Sequence, residues 1–442
     1  MIGQNMITWD KAGNGFWHNK DNWDLGRVPN AMDTVVISHD SVIVAAGEHA
    51  QAYKVVLGEQ FASGVGLAIF NNASLSIIQD VMDEDAGILI DDASFFNAGL
   101  VTVIADVGIV MQSGSYFTNQ DSVSVTAGSF GITNFGDIVN ESNGSILVTG
   151  SSTGISDNGP LLNDGKIFVD NCSNNGIFIN IQGLENNGSI MIENGGDRGI
   201  DIYRGQLVNS GMITVVGVSE GIRTSGTDTN SGELVNNDSI SIISCQTGLK
   251  LVINSSVINY AKIALEHCSI GINNDNGSLR NESLGSILIE GIVTMTAIGY
   301  QSESSGIYGS GGNLENFGQI TLSSLYAGID NCDDCTVVNY QNIDITSFDF
   351  GFISHGTVIN SGGDIDIKTG EKGLLVFSEI FRNEQGGTLS IEGCDNESLS
   401  VMAYGDFENK VGSHVAIKKP YVVPLSIASL GSMDNQGTIT VE

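Results

Sequence analysis

The chain reads as an all-β protein: a single-stranded right-handed parallel β-helix of about 15 coils, with a period of roughly 21–23 positions, behind an N-terminal cap. Three observations carry that reading. From about position 94 an apolar residue, a variable residue and Asn recur together, followed by a short turn and alternating apolar residues. A second marker, Gly followed by an apolar residue, returns at a nearly fixed distance after most of these asparagines, as Gly154 follows Asn140 and Gly176 follows Asn163. The apolar segments between markers are three to six residues long, alternate with period two and are rich in Ile, Val and Thr. Such segments suit strands and are too short for helices.

Taken in order, residues 1–60 lack the repeat and hold all three tryptophans, Trp9, Trp17 and Trp23. The first coil of a solenoid leaves strand edges and core open, so a cap of aromatic side chains is expected here. The competing reading, a carbohydrate-binding face of exposed tryptophans, is the less favoured. The repeat fills residues 61–442, with Asn72 in AIFNNASLSII as an early, looser copy. The anchors are then Asn97, Asn119, Asn140, Asn163, Asn186, Asn209, Asn236, Asn259, Asn281, Asn316, Asn339, Asn360, Asn383, Asn409 and Asn435. Their spacing is close to constant. The wider intervals are Asn209 to Asn236, Asn281 to Asn316, and the last two, Asn383 to Asn409 and Asn409 to Asn435. The Gly marker stands at Gly108, Gly131, Gly154, Gly176, Gly199, Gly221, Gly248, Gly271, Gly328, Gly351 and Gly373.

Each copy thus offers three short strands. Asn and Gly are read as turn residues, since they tolerate left-handed backbone angles. One coil cannot bury its apolar face alone and must stack on its neighbours, with equivalent residues about 4.8 Å apart. Asn in a constant slot then predicts a ladder of side-chain amides that satisfies buried turn groups. The right hand follows the crossover preference of parallel strands. Leucine-rich repeats need a different Leu spacing, and a propeller needs about twice this period. The sequence stops at MDNQGTITVE, partway into another copy, so the solenoid is expected to continue in a longer natural chain.

Composition narrows the function classes. A length of 442 residues suggests about three domains by default, and the repeat overrides that default. Lys plus Arg total 17 against 51 Asp plus Glu, a formal charge of −34, yet 41% of residues are hydrophobic. That apolar content excludes a disordered acidic chain. Only 4 prolines exclude collagen. The acidity argues against a nucleic-acid partner and against anionic membrane surfaces. No apolar run reaches the ~18 residues of a membrane span. MIGQNMITWDK lacks a basic start and an apolar core, so no signal peptide is visible. The chain is therefore intracellular, or its signal lies outside this sequence.

The cysteines test the register. Cys172, Cys245 and Cys268 each fall nine places after their anchor, and Cys394 falls in the equivalent place three after Ile391. Other copies fill this slot with Val218, Leu325 and Phe348. The slot therefore points inward, and these cysteines are expected as small core residues, with Cys245 and Cys268 near enough in adjacent coils to touch or bond. Cys332-Asp-Asp-Cys335 is half a zinc site without a second pair, so a local disulfide or two free thiols is expected there.

FWHNKDNWDLGRVPNAMDTVVI resembles a segment common at the start of bacterial secreted and cell-surface parallel β-helix repeat proteins, often exported by Bacteroidota-like bacteria. Trp17, Asn22, Trp23, Gly26, Pro29, Asp33, Val35 and Ile37 carry the match, which is confined to this segment; the remainder is similar only as a repeat class. The resemblance implies an extracellular or surface location. It implies no single activity, since such proteins include adhesins, structural stalks and polysaccharide-active enzymes. The usual C-terminal sorting domain is absent from this sequence.

A lyase on such a scaffold would need a base and usually Ca²⁺, and a glycosidase two or three outward carboxylates. The position two after the Gly marker is expected to face outward, giving a column of Asp201, Arg223, Lys250 and Asn273 with Tyr203 and Arg204 nearby. The insertions RTSGTDTNSGE and GYQSESSGIYGSGG precede anchors and should project from one edge. A glycan groove would use Asp201, Tyr203, Arg223, Lys250, Tyr300 and Tyr308; the plainer reading is a solvated face of ion pairs worth under ~1 kcal/mol each. Asp80, Asp83, Glu84, Asp85, Asp91 and Asp92 cluster in DVMDEDAGILIDDAS, where solvated charge is favoured over weak Ca²⁺ binding. Asp364, Asp366 and Lys368 alternate with Ile365 and Ile367 and so face water, and His355 stands alone. No cofactor is called for, no catalytic residue can be assigned, and any partner is a glycan or other cell-surface ligand. The expectation is a non-enzymatic structural or adhesin-like solenoid module of a larger bacterial surface or secreted protein, with a polysaccharide-binding or polysaccharide-cleaving β-helix as the alternative.

Overall fold

Ile and Val alternate with polar residues in every copy, and each copy folds accordingly into one coil of three short parallel strands. The computed structural model describes residues 5–58, 64–79, 85–292, 298–299, 312–324, 327–347, 349–402, 404–420, 422–428 and 430–442. Two units, Met1–Ile213 and Thr214–Glu442, divide the chain. Both are parallel β-solenoids, with about 17 turns in total rather than the 15 expected. The count is higher because parallel coiling already runs inside the segment expected as a cap. There Thr34–Ile37 pairs in register with Lys54–Leu57, and Val55–Leu57 with Ile88–Ile90.

In the first unit, strands ending at the anchors pair so that Asn97, Asn119, Asn140, Asn163, Asn186 and Asn209 fall in one column. We call these the Asn strands. The middle strands follow, such as Ser145–Thr149, Lys166–Asp170 and Ser189–Glu193. The Gly strands complete each coil, such as Thr153–Asp157, Asn175–Ile179 and Arg198–Ile202. In Leu100–Met111 and Ser122–Asn134 the middle and Gly strands run on without a break. The second unit repeats the pattern from Gly232–Asn236 to Ser432–Asn435. Ile146, Val148, Ile167, Val169, Ile190 and Ile192 all lie inward at 1% exposure or less. Each such burial stabilises the fold by about 1.5–3 kcal/mol.

The predicted amide ladder is present in both units. Each anchor donates from Nδ2 to Oδ1 of the next, at 2.7–2.8 Å from Asn97 to Asn209. From Asn236 to Asn435 the distances are 2.8–3.0 Å. The ladder spans the long interval between Asn281 and Asn316 at 2.9 Å, so the insertion there leaves the register intact. The same amides also serve the backbone: Asn140 Nδ2 donates to Lys166 O at 3.1 Å, and Gly99 N–H donates to Asn97 Oδ1 at 3.1 Å.

The Gly marker has a different cause from the one expected. Gly131, Gly154 and Gly176 lie inside strands and not at turns. They are needed because nothing larger fits. A Cβ at Gly131 would stand 2.2 Å from Val148 Cγ1 and 2.4 Å from Gly154 O; one at Gly154 would stand 2.5 Å from both Val169 Cγ1 and Gly176 O. The glycines form a steric column, each leaving room for the backbone of the next coil and a middle-strand side chain. Left-handed angles fall instead on other residues, Asn72, Asn171, Asn194 and Asn254 among them.

The tryptophans at the start are buried, at 0, 0 and 3% exposure for Trp9, Trp17 and Trp23, and so offer no carbohydrate-stacking face. Trp23 meets Trp9 and Trp17 edge-on at 5.1 and 5.2 Å and donates its indole N–H to Trp17 O at 2.7 Å. Asn22 Nδ2 donates to Phe16 O at 2.9 Å. Arg27 donates two hydrogen bonds of 2.6 Å to the buried Asp33 carboxylate, which also accepts from Asn30 N–H at 2.8 Å. Those bonds, Arg27's above all, hold the Asp33 carboxyl below the ordinary aspartate range. The motif at Trp17–Ile37 is thus built into the folding of the first coils.

Candidate functional site

The outward column of the Gly strands was the place where chemistry was expected. In the second unit Arg223, Lys250 and Asn273 are in-register neighbours, as read from the sequence. The like charges of Arg223 and Lys250 are offset by Glu220, whose carboxylate holds Lys250 Nζ at 2.7 Å. Sequence reasoning missed Glu220, because strict alternation would place it on the side of Ile222; the break in alternation at Gly221 and Ile222, both buried, leaves Glu220 on the outer face with Arg223. Arg223 Nε and Asn273 Oδ1 are buried and have no hydrogen-bond partner among the described residues.

In the first unit Asp201 is in register with Phe178. It is only 5% exposed, with Arg198 Nη1 3.4 Å from its carboxylate. An aspartate so enclosed presents little to a ligand, against the open outward face expected. Tyr203 is 37% exposed, and its ring stacks toward Phe178 at 6.4 Å. The Arg204 guanidinium stands over Tyr203 at 4.9 Å and donates to Asn180 Oδ1 at 2.8 Å. Tyr300 and Tyr308 lie outside the described residues. Of the six candidates, then, Arg223 and Lys250 are adjacent, and Asp201 and Tyr203 lie two apart on one segment.

Farther along the same column of the second unit, chemistry gives way to packing. Asp330 is followed in register by Ile353, Leu375 and Ser400. Ala327, Ile353 and Leu375 form an apolar cluster, with Phe350 and Phe377 against it. The ring of His355 stacks on Phe377 at 4.7 Å and its Nδ1 is 4.0 Å from Asp333. Burial pushes the Asp330 carboxyl up, and His355 partly offsets it. Asp364, Asp366 and Lys368 face water as expected. Asp80, Asp83 and Glu84 lie outside the described residues, and Asp85 pairs with Lys54 at 3.2 Å. Among the described residues no group of three His, Cys, Asp or Glu side chains is arranged to hold a metal ion.

Among the described residues the most perturbed carboxyl is in the interior. Asp157 ends a Gly strand, is 1% exposed and accepts from Asn134 Nδ2 at 2.8 Å. Desolvation drives it up to about 8. Its Oδ2 has no hydrogen-bond partner among the described residues. A group so enclosed reaches no substrate, and its perturbation is structural rather than catalytic.

The cysteines follow the register. Cys172, Cys245, Cys268 and Cys394 are free thiols at 4% exposure or less. Each thiol of the adjacent pair donates to the carbonyl two residues before it, Cys245 to Ile243 O at 3.5 Å and Cys268 to Glu266 O at 3.6 Å; interaction with Cys268, with burial, pushes Cys245 up, while interaction with Cys245 lowers Cys268. Cys332 and Cys335 are joined as a disulfide, one of the two states left open by the sequence.

No protein-family model matches the sequence. No curated protein matches it either. Among solved structures, one that is similar is a crystal structure of a TibC-catalysed, hyper-glycosylated fragment of TibA. It is 12% identical, covers 92% of this chain and 98% of that one, and has a TM-score of 0.24. A likeness of that size carries no argument about what this chain does. No helix among the described residues is long and apolar enough to cross a membrane.

Proposed function

We propose that the chain is a non-enzymatic solenoid module, structural or adhesin-like, of a larger bacterial surface or secreted protein. The observation that carries this reading is the contrast between constant inward and variable outward columns. Inward, Asn follows Asn and Gly follows Gly, each holding the next coil in register. Outward, the Gly-strand column changes from Ser156 to Phe178 to Asp201 in three successive coils. A scaffold needs the first and tolerates the second, whereas a catalytic constellation needs charged groups converging on one point. The extracellular location rests on the resemblance at Trp17–Ile37. The strong negative charge suits a long polar module that must stay soluble.

A second reading, a polysaccharide-binding β-helix, is favoured by one observation: Arg223 Nε is buried beside Lys250 with no hydrogen-bond partner among the described residues. A glycan array and a depolymerisation screen, with and without Ca²⁺, separate the two. The Arg223→Ala/Lys250→Ala double variant is run in parallel. The scaffold reading predicts no turnover and no binding that depends on these two residues. Binding or cleavage lost in the double variant would overturn it and place the site on that column.

A further inference from the structure

The four free thiols are not equivalent. Cys172 and Cys394 each sit alone in the inward slot of their coils, but Cys245 and Cys268 occupy it in consecutive coils of the second unit. The strands on either side fix their register. Ile243 is paired with Glu266 just before them, and Thr247 with Ile270 just after. The corner itself is closed by Ser269 N–H donating to Cys245 O at 3.1 Å. In-register parallel neighbours stand about 4.8 Å apart, inside the Cα separation of roughly 4.4–6.8 Å that a disulfide accepts. Both side chains point into the core, at 4% and 0% exposure, so their Cβ vectors run side by side.

We propose that Cys245 and Cys268 are a site of covalent modification, a disulfide staple between two consecutive coils that forms wherever a thiol-oxidising disulfide is present. The exchange balances simply. One protein thiolate attacks a dissolved disulfide such as oxidised glutathione, expelling one small thiol and leaving a mixed disulfide. The second protein thiolate displaces the other small thiol. The two cysteines lose two protons and two electrons, and the oxidant becomes two thiols. Because both sulfurs are enclosed, the exchange takes place while the coils are still open, during folding or local opening. The staple ties coils that otherwise hold each other only by stacking and hydrogen bonds. Cys172, which meets the Ser151 hydroxyl at 3.3 Å, and Cys394 have no cysteine in the slot of an adjacent coil and stay as thiols. This inference is independent of whether the module binds a glycan.

The test is to unfold and refold the full chain, once in excess oxidised glutathione and once under a reductant. Free thiols are then alkylated in denaturant and the digest is read by mass spectrometry. Refolding under oxidant should leave Cys172 and Cys394 alkylated and yield a Cys245–Cys268 cross-linked peptide two hydrogens lighter than its parts. The reduced sample should alkylate all four. A Cys245→Val/Cys268→Val variant, which copies the Val218 filling of the same slot, checks that the coil folds without thiols and should carry no cross-link at this corner. Alkylation of all four cysteines after oxidative refolding, or cross-linking of either member to Cys172 or Cys394 instead, would overturn the proposal.

Discussion

Two buried polar columns run through these coils, and they behave differently. At the Asn corner, every anchor from Asn97 to Asn409 is fully buried and both ends of its amide are used. At the inner end of the Gly strands the polar residues come singly or in pairs. Asn134 donates to Asp157, and the next residues in that column are Ile179 and Ile202. There Asp157 Oδ2 is left unpaired, as is Asn331 Nδ2 in the second unit. An amide is donor and acceptor at once, so an unbroken run of amides satisfies itself from coil to coil. An ionised carboxyl, which only accepts, or an interrupted run cannot. Satisfaction is a property of the column and not of the residue.

The largest effect should come from the steric column that borders both. Gly131→Ala forces a Cβ to within 2.2 Å of Val148 Cγ1 and should cost more than about 3 kcal/mol, or prevent folding. Gly217→Ala is the control. Gly217 has φ +69° and open space around its missing Cβ, so only the left-handed backbone cost of about 1–2 kcal/mol applies. Circular dichroism melts of both variants check the difference.

Breaking the amide column comes next. Asn163→Leu leaves Asn140 Nδ2 and Asn186 Oδ1 without their ladder partner. It should lower stability by about 3–5 kcal/mol, equally at pH 5 and pH 8, in denaturant titrations.

Asp157→Asn should act in the opposite direction. The folded carboxyl titrates near 8, against 3.8 for a free aspartate. Between those values the unfolded chain has released the proton and the folded chain has kept it. Stability therefore falls as pH rises from about 4 to about 8. The substitution removes that slope, so its stabilisation should be near zero at pH 4 and grow to about 2–4 kcal/mol at pH 8.

The smallest effect belongs to the outward face. Lys250→Met removes the 2.7 Å pair with Glu220, whose side chains remain 18 and 19% exposed. It should change stability by about 1 kcal/mol or less, and less still at high salt.

Much of this was legible in the sequence, for a physical reason. The Asn slot, the inward cysteine slot and the strand register repeat, and repetition makes a column readable even across the long interval between Asn281 and Asn316. The position of the Gly marker was equally plain, but its cause was not. A spacing does not distinguish a turn glycine from one crowded by the next coil. What does not repeat was hidden: Asp157 in a column that changes from Met111 to Asn134 to Asp157 to Ile179, Glu220 beside Lys250, and Arg27 closing on Asp33. Arg223, Lys250 and Asn273 were read in the register that the strands adopt, whereas the enclosure of Asp201, with Arg198 against its carboxylate, was not visible. Period two gives the face of a residue and not what lies over it.

The most direct test of the column argument is to plant the defect of one column in the other. Asn163→Asp keeps an oxygen that accepts from Asn140 and replaces the donor that serves Asn186. A protonated carboxyl can still donate its O–H to Asn186 Oδ1, whereas an ionised one presents a buried charge to that oxygen. Thermal unfolding at pH 5 and pH 8 should therefore find Asn163→Asp close to the parent in acid and several kcal/mol less stable at pH 8. An equal loss at both pH values, or none at either, would contradict the claim that the amide column is held by its continuous exchange of donors and acceptors.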